Sequence, residues 1–230
     1  MQKPIKAIAF DLWNTLVGCV APVNPMLRLL EAIHLAGGTD AALLVAESTM
    51  TEPLPGLAAA VEALERRLGT SLARGQERAR LLACWRLAIA HNCIFEDVVP
   101  ALRRLQKHYR LGVITNTQSF DMEFWLHSEA RALLDAEVLS YEVHALKPDK
   151  RMFSRFARRI GISAGQILMV GDNSRDDIEG ARAAGLQALR ISRSHSTLSH
   201  HDSQGSDEAL RDLSELEEKL RQLRRARRGR

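Results

Sequence analysis

The sequence predicts an open α/β fold, a parallel sheet wrapped by helices and interrupted early by an all-helical insert. Three observations carry this. Short apolar runs with little alternation fall at Ala7–Phe10, 111–115, 167–170 and 186–191, the pattern of strands buried on both faces. Helical patterns lie between them, so strand and helix alternate as right-handed crossovers in a Rossmann-like parallel sheet. The stretch 17–95 breaks that rhythm and offers helical patterns with no convincing strand.

The elements follow in order. After the first strand, Leu27, Leu30 and Ile33 suggest a helix ending at Gly37-Gly38, and Ala41 to Ser48 a second. Leu57, Val61, Leu64 and Leu68 suggest a third, begun after Pro55 and stopped by Gly69; Leu81, Leu82, Trp85, Ala88 and Ile89 suggest a fourth. Val98, Val99, Leu102 and Leu105 share a helical face around Pro100. Met152, Phe153, Phe156 and Ile160 share another, ending at Gly161; Ile178, Ala181 and Ala184 form one that ends at Gly185. The expected organisation is a discontinuous core at 1–16 and 96–194, a helical cap at 17–95 with hinges near 17–19 and 95–97, a polar linker at 195–206, and a C-terminal helix with an Arg-rich tail at 207–230.

Charge is unevenly placed. The 230 residues hold 32 Lys and Arg against 28 Asp and Glu. Seven of the basic residues, Lys219, Arg221, Arg224, Arg225, Arg227, Arg228 and Arg230, lie in the last twelve positions, so the rest carries 25 against 28. Basicity belongs to the C-terminus, which argues against a nucleic-acid partner for the body of the protein. A 46% hydrophobic, 26% charged composition excludes wholesale disorder. No apolar run of membrane-spanning length occurs, and Met1 to Phe10 lacks the form of a signal peptide. Cys19, Cys84 and Cys93 are an odd, scattered set, which suits a reduced, cytoplasmic protein. His195, His200 and His201 fall in the polar linker and read as solvated.

In an open parallel sheet, ligands bind beyond the C-terminal strand ends. The first strand ends at Asp11, the second at Thr115-Asn116, the third at Gly171-Asp172, with Asp176 and Asp177 close behind. Converging carboxylates repel unless a cation lies between them, and an all-oxygen set with room for phosphate favours Mg²⁺. Lys147 would offset the charge of a phosphate.

These residues also carry a resemblance. Phe10-Asp11-Leu12-Trp13-Asn14-Thr15-Leu16, Val113-Ile114-Thr115-Asn116, Leu146-Lys147-Pro148-Asp149 and the run from Val170-Gly171-Asp172 through Asp177 to Gly185 resemble, in order, the four motifs of the haloacid dehalogenase superfamily, in members with a helical cap of the first type. The resemblance implies that Asp11 is a nucleophile forming an aspartyl intermediate, that Thr115 hydrogen-bonds the transferred phosphoryl group, and that Lys147 holds both by charge. It implies Mg²⁺ ligation by Asp11, Asp172 and the backbone carbonyl of Trp13, with support from Asp177, and places Trp13 and Asn116 against the substrate. The implied activity is hydrolysis of a small phosphorylated molecule.

One departure matters. Phosphatases of that superfamily carry a second Asp two residues after the nucleophile, as general acid and base. Here the position is Trp13, and losing such a group costs about 10²–10⁴ in rate. Three readings follow: a metal-dependent phosphatase, slow or with another acid; a scaffold that binds a phosphorylated ligand or partner with little turnover; and a 2-haloacid dehalogenase, whose halide leaves unprotonated but whose site has no place for Asp172. Among other residues, Asp121 and Glu123 read as helix-start charges, Cys19 as a small buried hydrophobe, Trp85 as packing within the insert, and His91, His108 and His144 as surface or core.

Overall fold

The computed structural model describes residues 3–20, 29, 31, 40–193 and 209–228. The chain runs through β1 (Ala7–Phe10), β2 (Val17–Cys19), α1 (Ala41–Thr49), α2 (Leu57–Leu68), α3 (Gly75–Ala90), β3 (Asn92–Ile94) and α4 (Val98–Leu105). It continues with β4 (Arg110–Thr115), α5 (Glu123–Leu126), α6 (Glu129–Ala132), β5 (Ala136–Leu139), α7 (Ser140–Val143) and α8 (Lys150–Ile160). A 3₁₀ turn (Ala164–Gln166), β6 (Ile167–Gly171), a π-helical turn (Ser174–Glu179), α9 (Gly180–Ala183), β7 (Gln187–Arg190) and α10 (Leu213–Arg228) complete it. Five strands form one parallel sheet in the order β5-β4-β1-β6-β7. The chain returns to β1's neighbours on both sides, which places the end of β1 at the point where strand order reverses.

The sheet's faces sort residues by parity, as a two-residue strand period requires. Ile8 and Phe10 of β1 face one apolar cluster with Val113, Leu102 and Trp125; Ala7 and Ala9 face the other with Phe153 and Phe156. Small residues on that second face make room for large ones opposite. Gly112 is the clearest case, since a Cβ there would lie 2.5 Å from the Phe156 ring and 2.3 Å from the Ala136 carbonyl oxygen. Leu213, Leu216 and Leu220 of α10 are buried in the first cluster, so the C-terminal helix is part of the core. No helix among the described residues is long and apolar enough to cross a membrane.

Two expectations are corrected. β2 and β3 form an antiparallel ribbon inside a stretch that reads as strand-free, with Gly18 opposite Cys93. Three-residue strands carry too little periodicity to be seen in sequence, and only their pairing stabilises them. The ribbon ties 17–19 to 92–94, just before the expected hinge at 95–97, and Phe95 N donates to Leu16 O (3.1 Å). The sheet also has an unforeseen fifth strand, β5, because Glu137 interrupts its apolar pattern. That carboxylate is satisfied at the edge by Trp125 Nε1 (2.7 Å) and Arg131 Nε (2.7 Å).

Between the two short strands, α1, α2 and α3 build a separate apolar cluster of Val45, Leu57, Ala60, Val61, Leu64, Leu81 and Trp85, joined by Leu29. α2 ends at Gly69 in the left-handed region (φ 68°), as its sequence signals. The helix expected over 27–33 and the linker over 195–206, with its histidines, lie outside the described residues or nearly so, as do the last side chains of the Arg-rich tail. The helical segment meets the sheet through the loop after β4. Gln118 Nε2 donates to Thr49 Oγ1 (3.3 Å), Ser119 Oγ both accepts from Leu54 N (2.9 Å) and donates to its carbonyl (3.0 Å), and Phe120 packs edge-on against Trp85 at 5.7 Å.

Candidate active site

β1 delivers Asp11 to the crevice at its C-terminal end, where Asp11 N donates to the Val170 carbonyl of β6 (2.8 Å). The chain then turns sharply. Leu16 N and Val17 N both donate to Leu12 O (2.9 Å each), and Asn14 takes a left-handed conformation (φ 56°) that Asn tolerates better than most residues. From there the Asn14 side chain hydrogen-bonds the Asp172 carboxylate. Sequence reasoning did not single out Asn14; its only signal is an Asn in a tight strand-end turn.

β6 ends at Gly171-Asp172. The π turn that follows includes a bond from Ile178 N to Asn173 O, five residues back (3.3 Å). This widened turn returns Asp177 to the site. Its carboxylate lies where a side chain on residue 171 would begin, since a Cβ on Gly171 would come within 2.3 Å of Asp177 Oδ2. Asp172 and Asp177 can therefore converge only because residue 171 is glycine.

Lys147 closes the arrangement. Its ammonium donates to Asp11 Oδ1 (2.5 Å) and Asp177 Oδ1 (2.6 Å), and it is buried, as are both partners. The backbone of Lys147 is gripped by Asn116, whose Oδ1 accepts from Lys147 N (2.7 Å) and whose Nδ2 donates to Lys147 O (3.1 Å). Both ends of the Asn116 amide are thus engaged with the lysine backbone, a contact that positions Lys147. Thr115 is fully buried at the end of β4, the strand beside β1, and the Asn116-Thr117 turn is held by Ser140 through Thr117 N (3.0 Å).

Electrostatics follow from this crowding. Burial lifts the Asp11 carboxyl well above its ordinary value; Lys147 pulls it back, while Asp177 and Asp172 push it up again. Asp172 is raised to about 6 by burial and by Asp177, against the pull of Lys147 and Asn14. Burial pulls the Lys147 ammonium down, but Asp11 and Asp177 reverse this and hold it above its ordinary value, so it stays charged. One cation thus faces three acids. Asp11, Asp172 and Asp177 each offer an oxygen, all within 4.8 Å of one another. An all-carboxylate set with surplus negative charge fits a hard divalent cation of the Mg²⁺ type.

Trp13 is turned elsewhere. Its Nε1 donates to Thr117 Oγ1 (3.0 Å), its ring tilts against Phe124 at 6.0 Å, and it packs on the first core cluster. The indole is fixed to the loop after β4. The loop also holds a surprise. Asp121, expected as a helix-start charge, is 6% exposed, has an Oδ1 without a hydrogen-bond partner, and is pushed by burial to about 7. Other readings fare variously: Trp85 is buried among the α1–α3 helices, while Cys19 is only half-buried, with Sγ 3.5 Å from the Ala88 carbonyl.

A parallel sheet whose C-terminal strand ends gather a buried lysine and three convergent carboxylates defines an α/β protein with a charged crevice at the point where strand order reverses. The match to known families agrees: residues 5–185 fit the haloacid dehalogenase-like hydrolase model, and the chain belongs to that family. Among curated relatives, glyceraldehyde 3-phosphate phosphatase of Methanothermobacter thermautotrophicus is 30% identical over 157 residues, covering 64% of this chain and 69% of the relative. Its counterpart in Methanopyrus kandleri is 29% identical over 132 residues, so this chain spans just 57% of that relative's length (56% of its own). Phosphoglycolate phosphatase of Aliivibrio fischeri is 29% identical over 209 residues, covering 83% and 86%. Among solved structures, a HAD phosphatase from Thermococcus onnurineus superposes with TM-score 0.60 at 20% identity over 94% and 98% of the chains. A 2-haloacid dehalogenase from Pseudomonas syringae does so with 0.56 at 22% identity over 95% and 99%.

Proposed function

We propose that the protein is a phosphatase for a small phosphorylated molecule, working through an aspartyl-phosphate on Asp11. The observation that carries this reading is the Asp11–Lys147–Asp177 network with Asp172 beside it, a donor set suited to a metal and a phosphoryl group together. The three relatives named above as phosphatases support the substrate class.

Asp11 attacks phosphorus through a carboxylate oxygen, and the leaving alkoxide or aryloxide departs with the bonding pair. Lys147, charged and fixed through Asn116, neutralises the Asp11 carboxylate and the equatorial phosphoryl oxygens. The Thr115 hydroxyl donates to one of those oxygens. Asp11, Asp172, Asp177 and the Trp13 carbonyl would hold Mg²⁺, which when bound offsets the charge of the phosphoryl group. The helical segment 17–95 acts as a cap that excludes water, on a core formed by 1–16 and 96–194. The three free cysteines suit the reducing cytoplasm.

Trp13 cannot protonate a leaving group or activate water, so good leaving groups are favoured and the phosphoenzyme breaks down slowly. This favours one second reading, a phospho-ligand-binding protein with little turnover. The dehalogenase reading is disfavoured, because Asp172 would repel a haloacid carboxylate. Rapid acid quench after mixing with labelled acetyl phosphate or an aryl phosphate separates the readings. The phosphatase traps label on Asp11 in a Mg²⁺-dependent way. Ligand binding without trapped label or phosphate release supports the scaffold, and metal-independent halide release from a 2-haloacid supports the dehalogenase.

A further inference from the structure

We infer that Arg193 is a positioning residue that holds the turn carrying Asp11 by gripping the Thr15 carbonyl, itself held in place by the C-terminal helix through Asp97. The inference rests on the reading of Asp11 as the nucleophile. Arg193 and α10 both lie past the family match at 5–185.

The Arg193 side chain is 7% exposed and almost every part of its guanidinium is used. Nε donates to Thr15 O (2.8 Å), while Nη1 and Nη2 donate to the two Asp97 oxygens (2.9 and 3.1 Å). The group lies over the Phe95 ring, 4.2 Å from its centroid. Asp97 Oδ2 also accepts from Leu213 N (2.9 Å), the first residue of α10. Four segments distant in sequence therefore meet at one planar cation: the turn after β1, the exit from β3, the chain after β7 and the start of α10.

The contact with Thr15 bears on the site. Thr15 is fully buried, and its carbonyl needs a donor from within the protein. The same turn is closed by Asn14 N to Val17 O (2.7 Å) and by the two bonds to Leu12 O, and Asn14 reaches the Asp172 carboxylate. A displaced Thr15 carbonyl would move Asn14, and with it the orientation of Asp11 and Asp172. The stacking adds a second constraint. Phe95 lies where a Cβ on Gly18 would be, 2.7 Å from the ring, so Arg193 presses Phe95 onto β2. A lysine cannot replace this fork, because a point charge cannot reach Thr15 and both Asp97 oxygens in one plane.

The test uses full-length Arg193→Ala and Arg193→Lys, with hydrogen exchange resolved to single amides and steady-state hydrolysis of an aryl phosphate. The amides of Asn14, Leu16 and Val17 should exchange about tenfold faster or more, while those of β4 and β6 keep their protection. The kcat should fall about tenfold, with KM within about twofold. Arg104→Ala breaks the exposed pair between α4 and α10 at Glu217 and should change neither readout. Unaltered exchange at 14–17, uniform loss of protection across the sheet, or the same effect from Arg104→Ala would overturn the inference. Should the alanine variant not fold, the lysine variant decides. Should the wild type not hydrolyse the aryl phosphate, the functional reading fails while the exchange data still judge Arg193.

Discussion

Two regions of this molecule bury carboxylates, and they treat them differently. At the strand ends, Asp11 and Asp177 share Lys147 and Asp172 takes a hydrogen bond from Asn14. In the loop after β4, Asp121 is buried with one oxygen unpartnered and, among the described residues, no cation to offset it. Both regions push carboxyls upward, but for different reasons. In the cluster, acids also repel one another around the ammonium of Lys147, a stress that a divalent metal would relieve on binding. At Asp121 the cause is desolvation alone, and only a proton relieves it. A raised carboxyl therefore marks chemistry here when it comes with a fixed counter-charge, and marks a cost to the fold when it does not.

The largest expected effect breaks the cluster. Asp11→Asn should lower aryl-phosphate hydrolysis by about 10⁴-fold or more, leaving a folded protein, since it removes the proposed nucleophile and one repelling charge. Phosphate release and circular dichroism check the two halves of that statement. Next in size is Trp13→Asp, which introduces a carboxyl two residues after Asp11. Its expected outcome is a gain of about 10²-fold or more in turnover and no accumulation of phosphoenzyme under rapid quench. An unchanged rate would show that Trp13 is not the missing part.

Asp121→Asn probes the solitary carboxylate. The folded state keeps the Asp121 proton to about pH 7, whereas the unfolded chain loses it near 3.8. Between those values the folded state binds more protons, so this group erodes stability as pH rises and does so fully above about 7. Asp121→Asn should thus gain up to about 4 kcal/mol at pH 8 and almost nothing at pH 4, measured by urea unfolding at each pH. The smallest effect concerns metal on the unaltered protein. Mg²⁺ at about 100 times its dissociation constant should add about 2.7 kcal/mol of stability, and chelator should remove it; Asp172→Asn should abolish the gain.

Much of the site is legible in sequence because strand ends announce themselves. An apolar run followed by an acid or hydroxyl places Asp11, Thr115 and Asp172 at one edge of a parallel sheet without any contact being known. Lys147 and Asp177 are less visible. Lys147 stands out in sequence through its motif alone, and the fold adds that Asn116 holds its backbone; Asp177 reaches the site because a π turn absorbs the five-residue spacing from Asp172. Asn116 reads as a substrate contact from its place in the motif, and only the fold shows that its amide also holds the lysine backbone. Asp121 misleads for a related reason: a charge near a helix start is usually solvated, and burial is decided by how the loop packs, here with Gln118, Ser119 and Phe120 anchored on Thr49, Leu54 and Trp85.

The parallel sheet, the helical patterns after the first strand, the family and the strand-end acids are all written in the chain, because hydrophobic period and strand-end chemistry are local properties. Tertiary structure decided the rest: the pairing of β2 with β3, the direction of the Trp13 indole, the burial of Asp121, and the Arg193–Asp97 contact that joins α10 to the turn after β1. Each depends on residues about 75 to 180 positions apart meeting, except Asp121, which depends on what covers it. Such meetings are fixed by packing, and no local pattern encodes them.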